Sequence, residues 1–565
     1  MVTEPSTGAL PRRMPTTLRR LDAERAATVL FVLLAAAAYV YLMWKTRGNT
    51  FFYDEWRWLF TRRTGINSIV SSYNSQMMLV PSAAYQVLWR TVGLRHYWVW
   101  RAIGIAIHVG LVSTLFVYAR RRVGAAAGLL VCLPLLFLGY GFEDVLWPIN
   151  ASFVATLALG IWALMALDGA RPRQDVIVCG LLVVALACSE LALVFALAVA
   201  VELTWRDRSP RRLWVWLTPL LLYAIWWIAY YEPSGAGSGL TGMPSFAASM
   251  AAAAITGLFG LDPSWGQSLL VGAVILGLWR FSRAGVFTPR AAGVLVLAGS
   301  YWLLVAYGRN ANPNAARYVY VGAVFLVLIG LEALRLVRIP PAALAVGVLV
   351  SLFALAGNLR YLSDGEGELR AGSQTSRAEL GALDLIRHTV SPALLIDQHY
   401  MPVMSAGEYF AAIQAFGSTP ADSPAQILQE PEPAREAADG LMLRAGVVQV
   451  RPIAHADRLS PASPPSVVAQ TGGRLSRTGG CLAYTPTSQP DRLQLRLQGP
   501  LELIDPAGPA VQILVRRFAG QFGATALPDL PPHHALVITA RADADPLSWQ
   551  ILVSPSHQLI ACAVG

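Results

Sequence analysis

A succession of long apolar runs, separated by loops that alternate between arginine-rich and arginine-poor, limits what this 565-residue chain can become. A helix needs about 20 apolar residues to cross a hydrocarbon core, fewer when it is packed inside a bundle. The first such run is 26–44. It follows a polar tail, residues 1–25, carrying Arg12, Arg13, Arg19, Arg20 and Arg25, which the positive-inside tendency assigns to the cytosol. A cleaved signal peptide using the alanines at 35–38 is the competing reading, but the run is long for that and many more follow. Further spans are expected near 97–118, 125–141, 149–167, 176–188, 191–204, 213–230, 267–280, 291–307, 318–334 and 340–357. The arginine clusters at 120–122, 171/173, 206–212, 280–290 and 335/338 then share one side. The sum is about eleven transmembrane helices, N-terminus in the cytosol and C-terminus outside.

Composition agrees. The chain is 55% hydrophobic and 14% charged, against about 25% charged in soluble domains, which excludes a soluble enzyme and a disordered protein. The net charge of +10 divides into +14 over residues 1–357 and −4 over 358–565. The basic excess therefore records membrane topology, and nucleic acid is not an expected partner.

Two stretches stay open. Residues 176–204 read as two short helices around Ser189-Glu190 or as one long tilted helix, and the pair keeps the 206–212 arginines in the cytosol. Residues 246–262 read as a further span or as a helix lying on the outer surface, which loop parity favours. The first outer loop, 45–96, is too polar for a span yet rich in aromatics, as suits helices at the membrane boundary.

After Gly357 the sequence turns soluble in character. Helical spacing marks 377–388, and 435–458 reads as connector. Alternation marks strands at 493–497, 511–515, 535–538 and 549–553. The expected fold is an all-α polytopic membrane protein (26–357) with an exported C-terminal mixed α/β domain: a helix and connector region (358–469), then a β-sandwich (470–565). Cys481 and Cys562 are the only cysteines there, a pair that export would join as a disulfide, the alternative being two buried thiols. Cys132, Cys179 and Cys188 fall in spans as small core residues.

The acids expected on the outer side are Asp54, Glu55, Glu143, Asp144, Glu190, Glu232 and Asp262. Most sit at span ends and not at the bilayer midplane, which favours chemistry at the outer boundary over passage through the middle. Asp54 and Glu55 follow the first span among five aromatics; either is a candidate general base for a hydroxyl nucleophile, or a solvated acid ending a helix. Glu143 and Asp144 are candidates to orient a sugar hydroxyl or to share a divalent cation with Asp54, against plain helix capping. Arg309 and Arg317 break the positive-inside pattern. With Tyr318 they suit a phosphate bound through a planar fork of donors, or an ordinary lipid headgroup. Glu190 is a hairpin apex or an intramembrane carboxylate, and His96 and His108 read as interface or packing residues. Asp543 and Asp545 are too short a motif to weigh. Trp549 is a sugar platform or core.

An acid directly after the first span, interface helices behind it, many short spans, an Arg-Tyr loop and an exported C-terminal domain together resemble the GT-C class of membrane glycosyltransferases. The arginine bias and layout are similar to actinobacterial cell-envelope transferases. The resemblance covers roughly residues 26–357. It implies a plasma-membrane enzyme, a polyprenyl-phosphate-linked sugar donor, an envelope glycan, lipid or protein acceptor, Asp54 as the catalytic acid of the first loop and Arg317 as a donor-phosphate ligand. The departures are Glu55 directly beside Asp54 and no clear metal-binding set. The competing classes are a transporter or flippase of an envelope precursor and a non-catalytic assembly protein.

Overall fold

The computed structural model describes residues 16–62, 65–169, 172–207, 210–233, 239–283, 285–308, 312–417, 420–453, 461–487, 491–506, 509–523, 526–543 and 545–564. Its helices, in chain order, are α1 Thr16–Lys45, α2 Asp54–Thr61, α3 Ile66–Val70, α4 Leu79–Val92, α5 Trp98–Val123, α6 Ala125–Leu135, α7 Phe142–Leu146, α8 Ala151–Ala166, α9 Pro172–Cys188, α10 Ala192–Arg206, α11 Trp214–Tyr230, α12 Gly239–Phe259, α13 Gly266–Phe281, α14 Pro289–Gly308, α15 Ala316–Leu334, α16 Pro341–Leu385, α17 Ala406–Phe416, α18 Pro424–Ile427 and α19 Glu432–Arg444. Two compact units result: residues 1–47, 64–88 and 98–368 in one, 48–63, 89–97 and 369–565 in the other. Pieces of the first outer loop thus belong with the C-terminal unit, and the division falls at 368 where sequence character suggested 357.

The first unit is a helical bundle, and the chain is a multi-pass membrane protein. Among the described residues seven helices are long and apolar enough to cross a membrane, or eight if the pair Ala125–Leu135 and Gly139–Leu146, bent by 55°, is one span. The expected spans at 176–188, 191–204, 213–230 and 267–280 are α9, α10, α11 and α13, helices of 15 to 17 residues. The 176–204 stretch is two helices broken at Ser189-Glu190-Leu191. Asp175 in the first turn of α9 binds Arg212 beyond the end of α10, at 2.5 Å, so the two helices double back as a hairpin. The 246–262 stretch does not lie free on a surface: α12 packs against α13, α14 and α15 with Met250, Ala254 and Thr256 buried.

One end of this bundle is fastened by buried ion pairs. Arg290, at the start of α14, meets Glu202 of α10 at 2.5 Å and Asp168 beyond α8 at 3.3 Å. Arg122 of α5 meets the same Asp168 at 3.2 Å and Glu332 of α15 at 2.9 Å, and the Tyr118 hydroxyl donates to Glu332. Five helix ends therefore share one level.

The second unit holds α2, α17, α18, α19 and the fourteen strands of the described residues. A two-stranded antiparallel ladder joins β1 Leu395–Asp397 to β2 Met401–Ser405. The other strands are β3 Val448–Ile453, β4 Pro461–Ser463, β5 Ser466–Thr471, β6 Arg474–Thr478, β7 Cys481–Thr485, β8 Arg492–Leu497, β9 Leu501–Ile504, β10 Val511–Arg516, β11 Ala526–Leu530, β12 Ala535–Ala540, β13 Trp549–Val553 and β14 Leu559–Val564. They form two antiparallel sheets, ordered β11-β10-β13-β8-β5 and β3-β12-β9-β14-β7-β6, with β4 also on β14. Alternate residues are buried in β8 (Leu493, Leu495, Leu497) and β10 (Val511, Ile513, Val515), as expected of strands with one face on a core.

The sheets reach back to Val448, earlier than 470, and the stretch read as connector holds α19 and β3. Pro433 sits in the first turn of α19, where a proline starts a helix without losing a hydrogen bond. Asp439 ties that helix to the sheet domain by accepting the backbone N–H groups of Arg517, Phe518 and Ala519 at 2.8, 2.9 and 3.1 Å.

Candidate functional site

In the second unit, α2 opens at Asp54, and the residue before it is strained. Tyr53 has φ 44° and ψ −104°, a conformation that side chains other than glycine rarely adopt. Its N–H donates to the Tyr400 carbonyl at 3.0 Å, and the Phe52 and Tyr400 rings lie 5.9 Å apart. Glu55 braces the same turn from inside. It is 0% exposed, and its Oε2 accepts the Phe52 N–H at 3.1 Å and the Tyr97 hydroxyl at 2.8 Å. The Trp56 indole N–H donates to the Phe51 carbonyl at 2.9 Å, with the Phe51 ring 4.7 Å from Tyr97. The two neighbouring acids are thereby separated in surroundings: Glu55 is sealed in a hydrogen-bonded aromatic nest, and Asp54 stays partly exposed in the first helical turn. There the helix dipole favours a carboxylate.

In the first unit, Glu143 and Asp144 lie in α7, past the 55° bend from α6. Close contacts build that bend: the Gly139 N–H donates to Asn358 Oδ1 at 2.8 Å, and Gly141 sits so near the Tyr320 ring that a side chain would collide. Arg317, in the first turn of α15, reaches Glu143 at 3.7 Å and lies 5.3 Å over the Tyr318 ring. Asp144 is 2% exposed, and neither carboxylate oxygen receives a hydrogen bond from a described side chain. Glu143 and Arg317 are the charged side chains that act on it. A carboxylate buried without hydrogen bonds is costly, which marks the place for a ligand or a proton.

The other expected positions distribute as follows. Arg309 lies outside the described residues. Glu190 occupies the turn between α9 and α10, against the Tyr223 hydroxyl. His108 is core, its ring nitrogens 2.7 Å from the Tyr320 hydroxyl and 3.2 Å from the Leu136 carbonyl. Asp262 caps the turn after it by accepting the Ser264 N–H at 2.9 Å. Asp543 and Asp545 both hold Arg517. Trp549 is 3% exposed and belongs to the core, so it offers no sugar platform. Cys481 and Cys562 face each other across β7 and β14 and are bonded, Sγ–Sγ 2.05 Å.

Among the described residues no group of three or more His, Cys, Asp or Glu side chains gathers as a cation site requires. A polar cavity around Arg377 and Asp422 was not legible in the sequence, because its residues are scattered between positions 95 and 430 in no recognisable spacing.

No family model matches the sequence, and no curated protein matches it. In its backbone course the chain is similar to the apo crystal structure of ArnT from Cupriavidus metallidurans, with a TM-score of 0.44 and 16% identity, covering 79% of this chain and 96% of that one. It is also similar to the arabinofuranosyltransferase AftD from Mycobacteria, with a TM-score of 0.30 and 11% identity, covering 93% of this chain and 62% of that one.

Proposed function

We propose that the chain is a membrane glycosyltransferase of the GT-C type, moving a sugar from a polyprenyl-phosphate carrier to an envelope acceptor on the outer face. The observation that carries this reading is the turn at 52–55. A strained Tyr53 and a buried, doubly hydrogen-bonded Glu55 hold Asp54 partly exposed directly after the first span. Strain maintained by surrounding bonds is characteristic of residues positioned for chemistry.

In the proposed reaction Asp54 accepts the proton of an acceptor hydroxyl, whose oxygen forms a bond to the anomeric carbon. The bond from that carbon to the carrier phosphate breaks, and its electron pair leaves with the lipid phosphate. Arg317 is the proposed ligand of that phosphate, its guanidinium offsetting the negative charge that develops. Glu55 is a positioning residue.

The test is release of polyprenyl phosphate by the purified protein in lipid nanodiscs supplied with polyprenyl-phosphate sugars and an oligosaccharide acceptor. Asp54→Asn is expected to slow release by about 10²–10⁴-fold and Arg317→Ala by about 10²-fold. Release unchanged in Asp54→Asn defeats the assignment of the base.

The bent α6/α7 pair and the buried Asp144 favour a second reading, a transporter or flippase, since broken helices and intramembrane carboxylates line such pathways. Its signature is movement of a lipid-linked precursor across proteoliposomes that fails in Asp144→Asn while no lipid phosphate is released.

A further inference from the structure

A cavity of about 690 Å³ opens in the second unit, lined by Arg95, Arg377, Asp422, Gln426, Gln429 and Glu430. The size is that of small-molecule sites, which span about 300–1,000 Å³. Its walls are held in place by backbone contacts. The Asp422 N–H donates to the Arg377 carbonyl at 3.1 Å, and Gly381, one turn along the same helix, meets the Asp422 carbonyl so closely that a Cβ there would collide.

The polar groups of the cavity are also arranged in advance. Arg377 donates to the Gly48 carbonyl at 2.7 Å and to Glu430 at 2.6 Å, and lies 3.3 Å from Asp422. Gln426 turns its carbonyl to Ser423, accepting the backbone N–H at 2.9 Å and the hydroxyl at 2.8 Å, so its amide NH₂ is the end left for a ligand. Asp422 is 7% exposed, and its Oδ2 receives no hydrogen bond from a described residue. The lining therefore presents a buried acceptor beside amide and guanidinium donors. Its formal charges, Arg95 and Arg377 against Asp422 and Glu430, cancel.

A phosphate or other anion would meet two acids in the same lining as the two arginines, and a simple cation would find both acids already engaged by Arg377. A hydroxyl both donates and accepts, and a neutral polyol presents hydroxyls in series, matching planar amide, carboxylate and guanidinium groups set side by side. We propose that this cavity binds a stretch of neutral glycan, and that this glycan is the acceptor of the transfer. The acceptor role rests on the transferase reading; the binding does not.

The experiment titrates the full-length protein in nanodiscs, without donor, with mannotriose, galactotriose, arabinotriose and inorganic phosphate, read by calorimetry. At least one trisaccharide is expected to bind the wild type. Gln429→Ala and Arg95→Ala, both exposed rim positions that spare the fold, are expected to weaken it about tenfold each, as does the loss of a hydrogen bond to a charged or well-placed polar group. Asp422→Asn is expected to weaken it as well. The proposal is overturned if no trisaccharide binds, if phosphate binds in their place, or if both rim variants bind as the wild type does. Trisaccharide binding that depends on the rim residues, in a protein that releases no lipid phosphate from any donor, leaves the glycan site standing and removes the transferase reading.

Discussion

At the scale of single residues, Asp54 and Glu55 are alike in sequence and unlike in surroundings. Sequence alone cannot rank two adjacent acids, because what separates them is a helix that starts between Tyr53 and Asp54 and a tyrosine forty-two positions away in the chain. Glu55→Ala removes the acceptor of two hydrogen bonds and is expected to cost about 2–3 kcal/mol of stability. Glu55→Gln, which keeps an acceptor, is expected to retain most of the activity that Asp54→Asn loses; thermal unfolding and lipid-phosphate release measured on the same three preparations check both. Asp422 carries a pH signature. Burial raises its carboxyl to about 6, opposed by Arg377 and reinforced by Glu430. The folded value lies above the unfolded one, so its stabilising contribution is complete below about pH 4 and lost as pH rises through 6. The melting temperature of the wild type relative to Asp422→Asn is therefore expected to fall between pH 4 and pH 7, and a difference that stays constant contradicts the assignment.

At the scale of elements, what the sequence revealed and what it hid follow from one distinction. Spans such as α1, α5, α14 and α15, and strands β8, β10, β12 and β13, advertise themselves because local periodicity is set by burial on one face or all round. The long α16 was legible only in pieces, as a span at 340–357 and helical spacing from 377; between them Gly357 lies against Gly260 and Gly365 against the Phe142 ring, so these positions mark tight approach of neighbours. Helix α19 was hidden by its prolines, and its anchor, Asp439, is recognisable only once residues 517–519 are seen to converge on it. Asp439→Ala strands three backbone donors and is expected to destabilise the second unit by about 3 kcal/mol. Gly381→Ala is expected to displace the Asp422 segment and abolish trisaccharide binding. In the bundle, Arg290→Met leaves Glu202 and Asp168 without a shared partner. Glu202 keeps Arg206 and Asp168 keeps Arg122, so a cost of about 1.5–3 kcal/mol is expected, seen as partial loss of monodisperse protein on size exclusion, and Glu202→Gln in the same chain should recover part of it.

At the scale of the whole molecule, the +10 total conceals a +14 membrane part and a −4 remainder, and this asymmetry makes topology testable. Reporter fusions are expected to place residue 1 in the cytosol and residue 565 outside. In the denatured protein a thiol-specific probe is expected to label Cys562 only after reduction, since it is bonded to Cys481. The ion-pair layer at one end of the bundle also bears on the order in which the chain is made. Glu202 leaves the ribosome 88 residues before Arg290, an interval of roughly 4–18 s at ordinary synthesis rates. During that wait the carboxylate already has Arg206, four residues along the same helix and 2.5 Å away, as a companion. Insertion of α14 can then hand Glu202 a second guanidinium without its ever having entered lipid as a lone charge, and α15, which brings Glu332 to Arg122, closes the layer last.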